Sequence, residues 1–265
     1  MPVLPSPTRL ALQPATAVAV MASASRPDGQ AAAMARLVEI DPALSAAVLR
    51  FANAARIGTG RAVTSARQAA VLLGTRTVES LAVGGTAQLV FGPADRRRPS
   101  ADPQHGAPGS TRGGVEAEPW THAVATACAT AAVARLSEGN PAEAFTAGLL
   151  HNAARFIAPL PHDPGCNPRE SADLLARHEV PAAIVRAVRM QSASIEVLTD
   201  GLARTVSAGH AVAVAAAAPD DPGAAAVARS HLTALGLGPS RLGELLAAVR
   251  RDLDGVTAVL AEAGR

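Results

Sequence analysis

Two histidines raise the first question of chemistry: His122 in "EPWTHAVATA" and His151 in "GLLHNAARF". A histidine followed by an aspartate can hold a divalent metal, because the imidazole supplies a neutral nitrogen and the carboxylate supplies charge and two oxygens. Here Asn152 follows His151. A carboxamide offers a dication one neutral carbonyl oxygen, so the attraction drops sharply. Arg155 follows three residues later and can grip a phosphate with a fork of donors. A guanidinium keeps its protons, however, and cannot serve as a general acid. The stretch keeps a charge suited to binding and lacks the groups that chemistry needs. It can be an active site, a former one, or a helix with a polar corner. No catalytic residue, metal ligand or cofactor is assigned from it.

A plainer reading of the same residues stands beside this one. His122 and His151 can be interior histidines that hydrogen-bond across two packed helices, with a His–Asn pairing to satisfy buried polar groups. Other chemistries find no support. "IGTGRA", from Ile57, has two glycines but neither a preceding strand nor a following Lys-Ser or Lys-Thr, so it is not a phosphate loop. There is no Gly-x-Ser-x-Gly elbow and no Cys-x-x-Cys pair. The two cysteines, Cys128 and Cys166, make no disulfide framework, and a reducing cytoplasm fits. Cys128, set among alanines, reads as a small buried hydrophobe. Trp120 reads as a core anchor near a helix start. Arg186 and Arg189 share a solvated helical face. Arg50 and Asn53 are candidates for a partner surface, although Asn53 can equally cap local backbone.

The elements that must position these residues are helical. Alanine and leucine supply most of the apolar surface, both strong helix formers, and no alternating strand pattern occurs in the 265 residues. An all-α fold is expected. All the basic side chains are arginine, which reflects the base composition of a GC-rich, bacterial genome. A net charge of +2 is too small an electrostatic footprint for nucleic acid. "DRRRP" (95–99) reads as solvated linker. "TRLALQPATAVAVMASAS" loosely resembles a secretory signal, but Gln13 and Pro14 interrupt its apolar run. The longest apolar run, "AVAVAAAA" from Ala211, is too short to cross a bilayer, so no membrane partner is expected.

A Pro-, Gly- and charge-rich stretch, residues 92–118, cannot bury enough surface to order itself. It divides an N-terminal helical subdomain (1–91) from a helical subdomain with a C-terminal helix (119–265). In the first, "EIDPALSAAVLRFANAARIG" predicts a helix with Asp41 as N-cap and Pro42 at its first position. Its expected apolar face is Leu44, Ala47, Val48, Phe51, Ala52 and Ala55. Helices are also expected near Thr16, over 28–39, in "VTSARQAAVLLG" up to Gly74, and from Thr75 onward. In the second, Pro119 opens an Ala-rich helix, and Asn140 with Glu143 caps "NPAEAFTAGLLHNAARFI". Two helices meet at Pro181, "LARTVSAGHAVAVAAAA" follows, and a last helix runs from Ser240 to about Glu262. Leu242, Leu245, Leu246, Val249, Leu253, Val256 and Leu260 line its stripe.

The Asp-Pro-x-Leu helix start, "LRFAN" (49–53), and "AAVLLG" leading into the next helix resemble the opening half of an HDOD domain. HDOD domains are the non-catalytic relatives of the HD metal-dependent phosphohydrolases. "EPWTHAVATA" and "AFTAGLLHNAARF" are similar to the second half, with its HD-like core. The resemblance spans about residues 4–214. It implies an N-terminal helical bundle packed on a C-terminal HD-like bundle. It also implies that His122, His151 and Asn152 stand where active relatives hold metal, and Arg155 where they carry a lysine. The histidines expected after Pro181 are replaced in "AIVRAVRMQS", and the closing aspartate in "TVSAGHAVAV"; His210 lies close by without a place on the site. The function implied is non-enzymatic: a cytoplasmic regulatory or signal-transduction protein that binds protein partners of unknown identity, any signal leaving by contact. A residual phosphohydrolase, a nucleotide or cyclic-dinucleotide sensor using Arg155, and a homodimer all stay open.

Overall fold

A computed structural model describes residues 16, 30–55, 62–78, 80–82, 119–156 and 167–263. Cys166, "IGTGRA" from Ile57 to Arg61, the start of the chain and the 92–118 stretch lie outside these residues. Every regular element among the described residues is helical. The N-terminal part has α1 (Gln30–Ile40), α2 (Pro42–Ala55) and α3 (Ala66–Leu73), with helical backbone again at 75–78 and 80–82. The rest has α4 (Pro119–Leu136), α5 (Pro141–Leu150), a 3-10 turn (Ala153–Phe156), α6 (Pro168–Arg177), α7 (Ala182–Met190), α8 (Gly201–Ala217), α9 (Pro222–Ala234), a second 3-10 turn (Pro239–Arg241) and α10 (Leu242–Ala263).

Local chemistry fixes most helix starts. Asp41 Oδ1 accepts from Ala43 N at 2.9 Å and Leu44 N at 3.0 Å, so the break between α1 and α2 is one capped residue. Asn140 does the same for α5, Asn167 for α6 and Asp200 for α8. Each such cap is worth about 1 kcal/mol. Gly74, at φ 74°, closes α3 where a side chain would be strained.

α4 is the axis of the molecule. Its residues from Ala123 to Ala134 are buried almost without interruption, as befits a helix that is apolar on all sides. One face joins the larger core, which runs through α1, α2, α3, α5, α6, α7 and the start of α8. The other packs with α8, α9 and α10 into a second core. The N-terminal helices are seated on this frame. Ala66 N donates to Thr146 Oγ1 at 3.1 Å, and Trp120 Nε1 donates to Ile40 O at 2.9 Å. Trp120 is thus the anchor expected of it, tying the start of α4 to the end of α1.

Two sequence expectations need correction. Phe51 is 43% exposed and Ala55 is exposed too, so neither belongs to the α2 core face; Pro42, Leu44, Ser45, Ala46, Val48, Leu49 and Ala52 are the buried residues of this helix. α9 lies between the last two expected helices, where none was foreseen. Its start carries a readable signal, Asp221 capping Gly223 N ahead of Pro222 at the first position. On α10 Leu242, Leu245 and Val249 of the expected stripe are buried and Leu246, Leu253 and Val256 partly so; the Leu260 side chain lies outside the described residues.

Candidate functional site

Two glycines build the site. A Cβ on Gly148 of α5 would lie 2.9 Å from Ala127 Cα, and one on Gly209 of α8 would lie 2.6 Å from Thr130 Cα. Real side chains do not come that close, so α5 and α8 both touch α4 at a point only glycine permits. His151 follows Gly148 by three residues and His210 follows Gly209 directly. The same crossings that bring the backbones together therefore bring both imidazoles to His122, on the first turns of α4.

The result is a triangle of imidazoles. Ring centroids are 5.1 Å apart for His122–His151, 5.2 Å for His122–His210 and 5.2 Å for His151–His210. Each ring offers one nitrogen, and the nitrogens lie within 4.8 Å of one another. The two-histidine count made from the sequence is corrected to three, because His210 belongs to the corner. His151 is fully buried at 0% exposure; His122 and His210 are half-buried.

His151 sits on the turn that ends α5, one residue beyond the helix, rather than inside the longer helix expected. Its Nδ1 lies 2.7 Å from Gly148 O. A carbonyl can only accept, so Nδ1 carries the proton and the Nε2 lone pair is left free. That lone pair faces His122 Nε2 at 3.2 Å. Gln191, just after α7, donates from Nε2 to His151 O at 2.7 Å and holds the turn. The hydrogen bond between two packed helices is therefore formed. The His–Asn pairing that would accompany it finds no counterpart at Asn152 Oδ1, which is buried without a partner.

The corner favours neutral imidazoles. Burial lowers the His122 pKa, and the nearby Arg155 charge lowers it further. Burial, followed by the charges of His210 and His122, holds His151 well below its ordinary value. His210 is lowered to about 4, again first by burial and then by His122 and His231. Arg155, half-buried in the 3-10 turn, is close enough to act on both His122 and His151. His122, His151, His210 and the Arg155 charge are thus gathered at one place, and Asn152 is the residue next to His151 in the chain.

The metal implied by the HD resemblance can be tested against these donors. Mg²⁺ and Mn²⁺ want carboxylates, carbonyls and water, and a hydrolytic metal pair wants shared carboxylate oxygens. The group gathered here is three imidazoles with no carboxylate among the described residues. It does not fit a hard metal pair. Three nitrogens do fit one borderline ion.

The other candidates lie elsewhere. Asn53 is a clip: its Nδ2 donates to Leu49 O at 2.8 Å and Val63 O at 2.9 Å, and its Oδ1 accepts from Val63 N at 2.8 Å. Its amide is committed to backbone and does not offer a free contact. Arg50 is exposed, 3.5 Å from the exposed Glu179 and with its guanidinium 5.4 Å from the Phe51 ring centroid. Arg186 pairs with Asp200 at 2.7 Å and Arg189 with Asp173 at 2.6 Å, more than the simple solvation expected. Cys128 is buried, and burial raises its thiol to about 12, as for an inert core residue.

The whole chain can now be set beside known proteins. The MmoQ response regulator from Methylococcus capsulatus str. Bath is 23% identical, with a TM-score of 0.65 over 91% of this chain and 98% of that one. A second structure of it, fragment 20–298, is 24% identical, with a TM-score of 0.61 over 88% of this chain and 93% of the other. At such identities the likeness shows a shared fold. No protein of curated function matches the chain. The HDOD domain family model matches residues 10–103 and ends before His122, so the histidine corner lies outside the matched stretch. The resemblance read from "LRFAN" and "AAVLLG" therefore agrees with the family model where those motifs stand, over residues 10–103.

Proposed function

We propose that this chain is a non-enzymatic regulatory protein of the HDOD type, acting in the cytoplasm by binding protein partners. The observation that carries this reading is the donor set of the corner. Asn152 stands beside His151, and no carboxylate joins the three imidazoles among the described residues. A hydrolytic centre of the HD kind needs a pair of hard metals sharing carboxylate oxygens to activate water and clamp the leaving oxygen. The fold it shares with a protein named as a response regulator agrees with a signalling role. The contact face proposed is the outer side of α2, where the exposed Arg50 lies beside the exposed Phe51. Arginine and aromatic residues are the types enriched at protein interfaces.

The test is affinity capture from cell extract with wild-type protein and Arg50→Glu, alongside size-exclusion chromatography for a homodimer. One partner, or a second copy, retained by the wild type and lost with Arg50→Glu supports the reading. Retention unchanged by that charge reversal contradicts the contact face. A second reading rests on Arg155, whose charge reaches two of the histidines: a nucleotide sensor without turnover. A nucleotide bound there at a hundred times its Kd adds about 2.7 kcal/mol of stability, readable as a thermal shift that Arg155→Gln removes.

A further inference from the structure

We propose that His122, His151 and His210 form a centre for one borderline divalent transition-metal ion, zinc foremost, clamping α4, the end of α5 and α8. This goes beyond partner binding and stands whether or not that reading holds.

The distances support it. With zinc–nitrogen bonds of 2.0–2.1 Å, the edge of a tetrahedral site is about 3.3 Å. His122 Nε2 and His151 Nε2 are already 3.2 Å apart. The widest separation in the triangle is bounded at 4.8 Å, so closure asks for a movement of about 1.5 Å at most, within reach of side-chain rotation. The second shell is in place as well. His151 Nδ1–H is held by Gly148 O, the arrangement that fixes the tautomer and aims the other nitrogen at a metal. Gln191 fastens the backbone of the same residue.

The surroundings add an independent sign. Of the four buried side-chain oxygens without a partner among the described residues, three are on Thr126, Asn152 and Gln191, the fourth being on Thr16. Thr126 is one helical turn from His122, Asn152 is next to His151, and Gln191 bonds the His151 carbonyl. Such oxygens can take up ligand-bound water. Half-burial of His122 and His210 leaves an approach from solvent. A three-nitrogen set leaves a fourth coordination position open. The Arg155 charge opposes a bare cation and favours an anionic ligand in that position.

The experiment uses full-length protein without a histidine tag, stripped with chelator and then offered Zn²⁺, Co²⁺, Mg²⁺ or Mn²⁺. The expected result is one Zn²⁺ or Co²⁺ per chain, a visible four-coordinate Co²⁺ spectrum, a raised Tm, and no uptake of Mg²⁺ or Mn²⁺ at the same concentration. His210→Ala lowers zinc affinity on the order of 100-fold, whereas His178→Ala leaves it unchanged. Circular dichroism of the metal-free variants shows that they are folded; if His210→Ala is not, His122→Ala, on the opening turns of α4, gives the same reading. Absence of zinc uptake, uptake indifferent to both variants, or preference for Mn²⁺ overturns the proposal.

Discussion

Two asparagines, each just beyond a run of buried helix, divide the molecule into two kinds of corner. Asn53 has both ends of its amide engaged: the oxygen with Val63 N, the nitrogen with Leu49 O and Val63 O. Asn152 is buried at 3% exposure, yet its oxygen has no partner. The same residue type therefore closes a loop in one place and stands open in the other. What separates them is hydrogen-bond satisfaction: the Asn53 oxygen is engaged, whereas the buried oxygen of Asn152, next in the chain to His151, has no protein partner.

The contrast can be broken most severely at Gly209. Gly209→Ala forces a Cβ against the backbone of Thr130, displacing α8 and with it His210. The expected cost is about 3 kcal/mol in chemical denaturation, with loss of the histidine triangle. Next comes Asn53→Ala, which leaves the Val63 amide without its partner and should cost about 2 kcal/mol. Asn152→Ala sharpens the comparison from the other side, since no bond to its oxygen is lost; a smaller loss than that of Asn53→Ala is expected. If both asparagine variants lose stability equally, the distinction between the corners fails.

Acidity should also tell the regions apart. The three histidines are less basic in the folded chain than in the unfolded one. Between pH 6.5, their ordinary value, and about 4, where His210 titrates in the fold, the unfolded chain binds more protons. Stability of the metal-free protein is therefore full above pH 6.5 and falls as the pH drops through that window. His210→Gln flattens the fall, measurable as Tm against pH, while Asn53→Ala leaves its shape unchanged.

Much of this fold was legible in the sequence because helix caps are local. Asp41 with Pro42, and Asn140 with Glu143, place their helix starts without knowledge of the rest of the chain. The face of α2 was harder, because Leu49 and Phe51 flank the Leu44, Val48 and Ala52 stripe on opposite sides of the helix, and only contact with the other helices decides which is covered. α9 escaped because alanine dilutes its apolar stripe, although Asp221 and Pro222 announced it. The corner was half legible. His122, His151, Asn152 and Arg155 stood out by the resemblance to the HD motif, but His210 sits on a helix buried nearly all round, where no amphipathic phase shows which way a residue faces. Its place is set by the approach of Gly209 to Thr130, a contact between positions far apart in sequence.

The central claim is that a corner of three imidazoles and a carboxamide binds without hydrolysing. Phosphodiester turnover by wild-type protein, loaded with zinc and separately supplemented with manganese, tests it most directly. The account predicts a rate no greater than that of the metal ions alone, unchanged by chelator once that blank is subtracted. Turnover that rises with metal content and is abolished by chelator would contradict it.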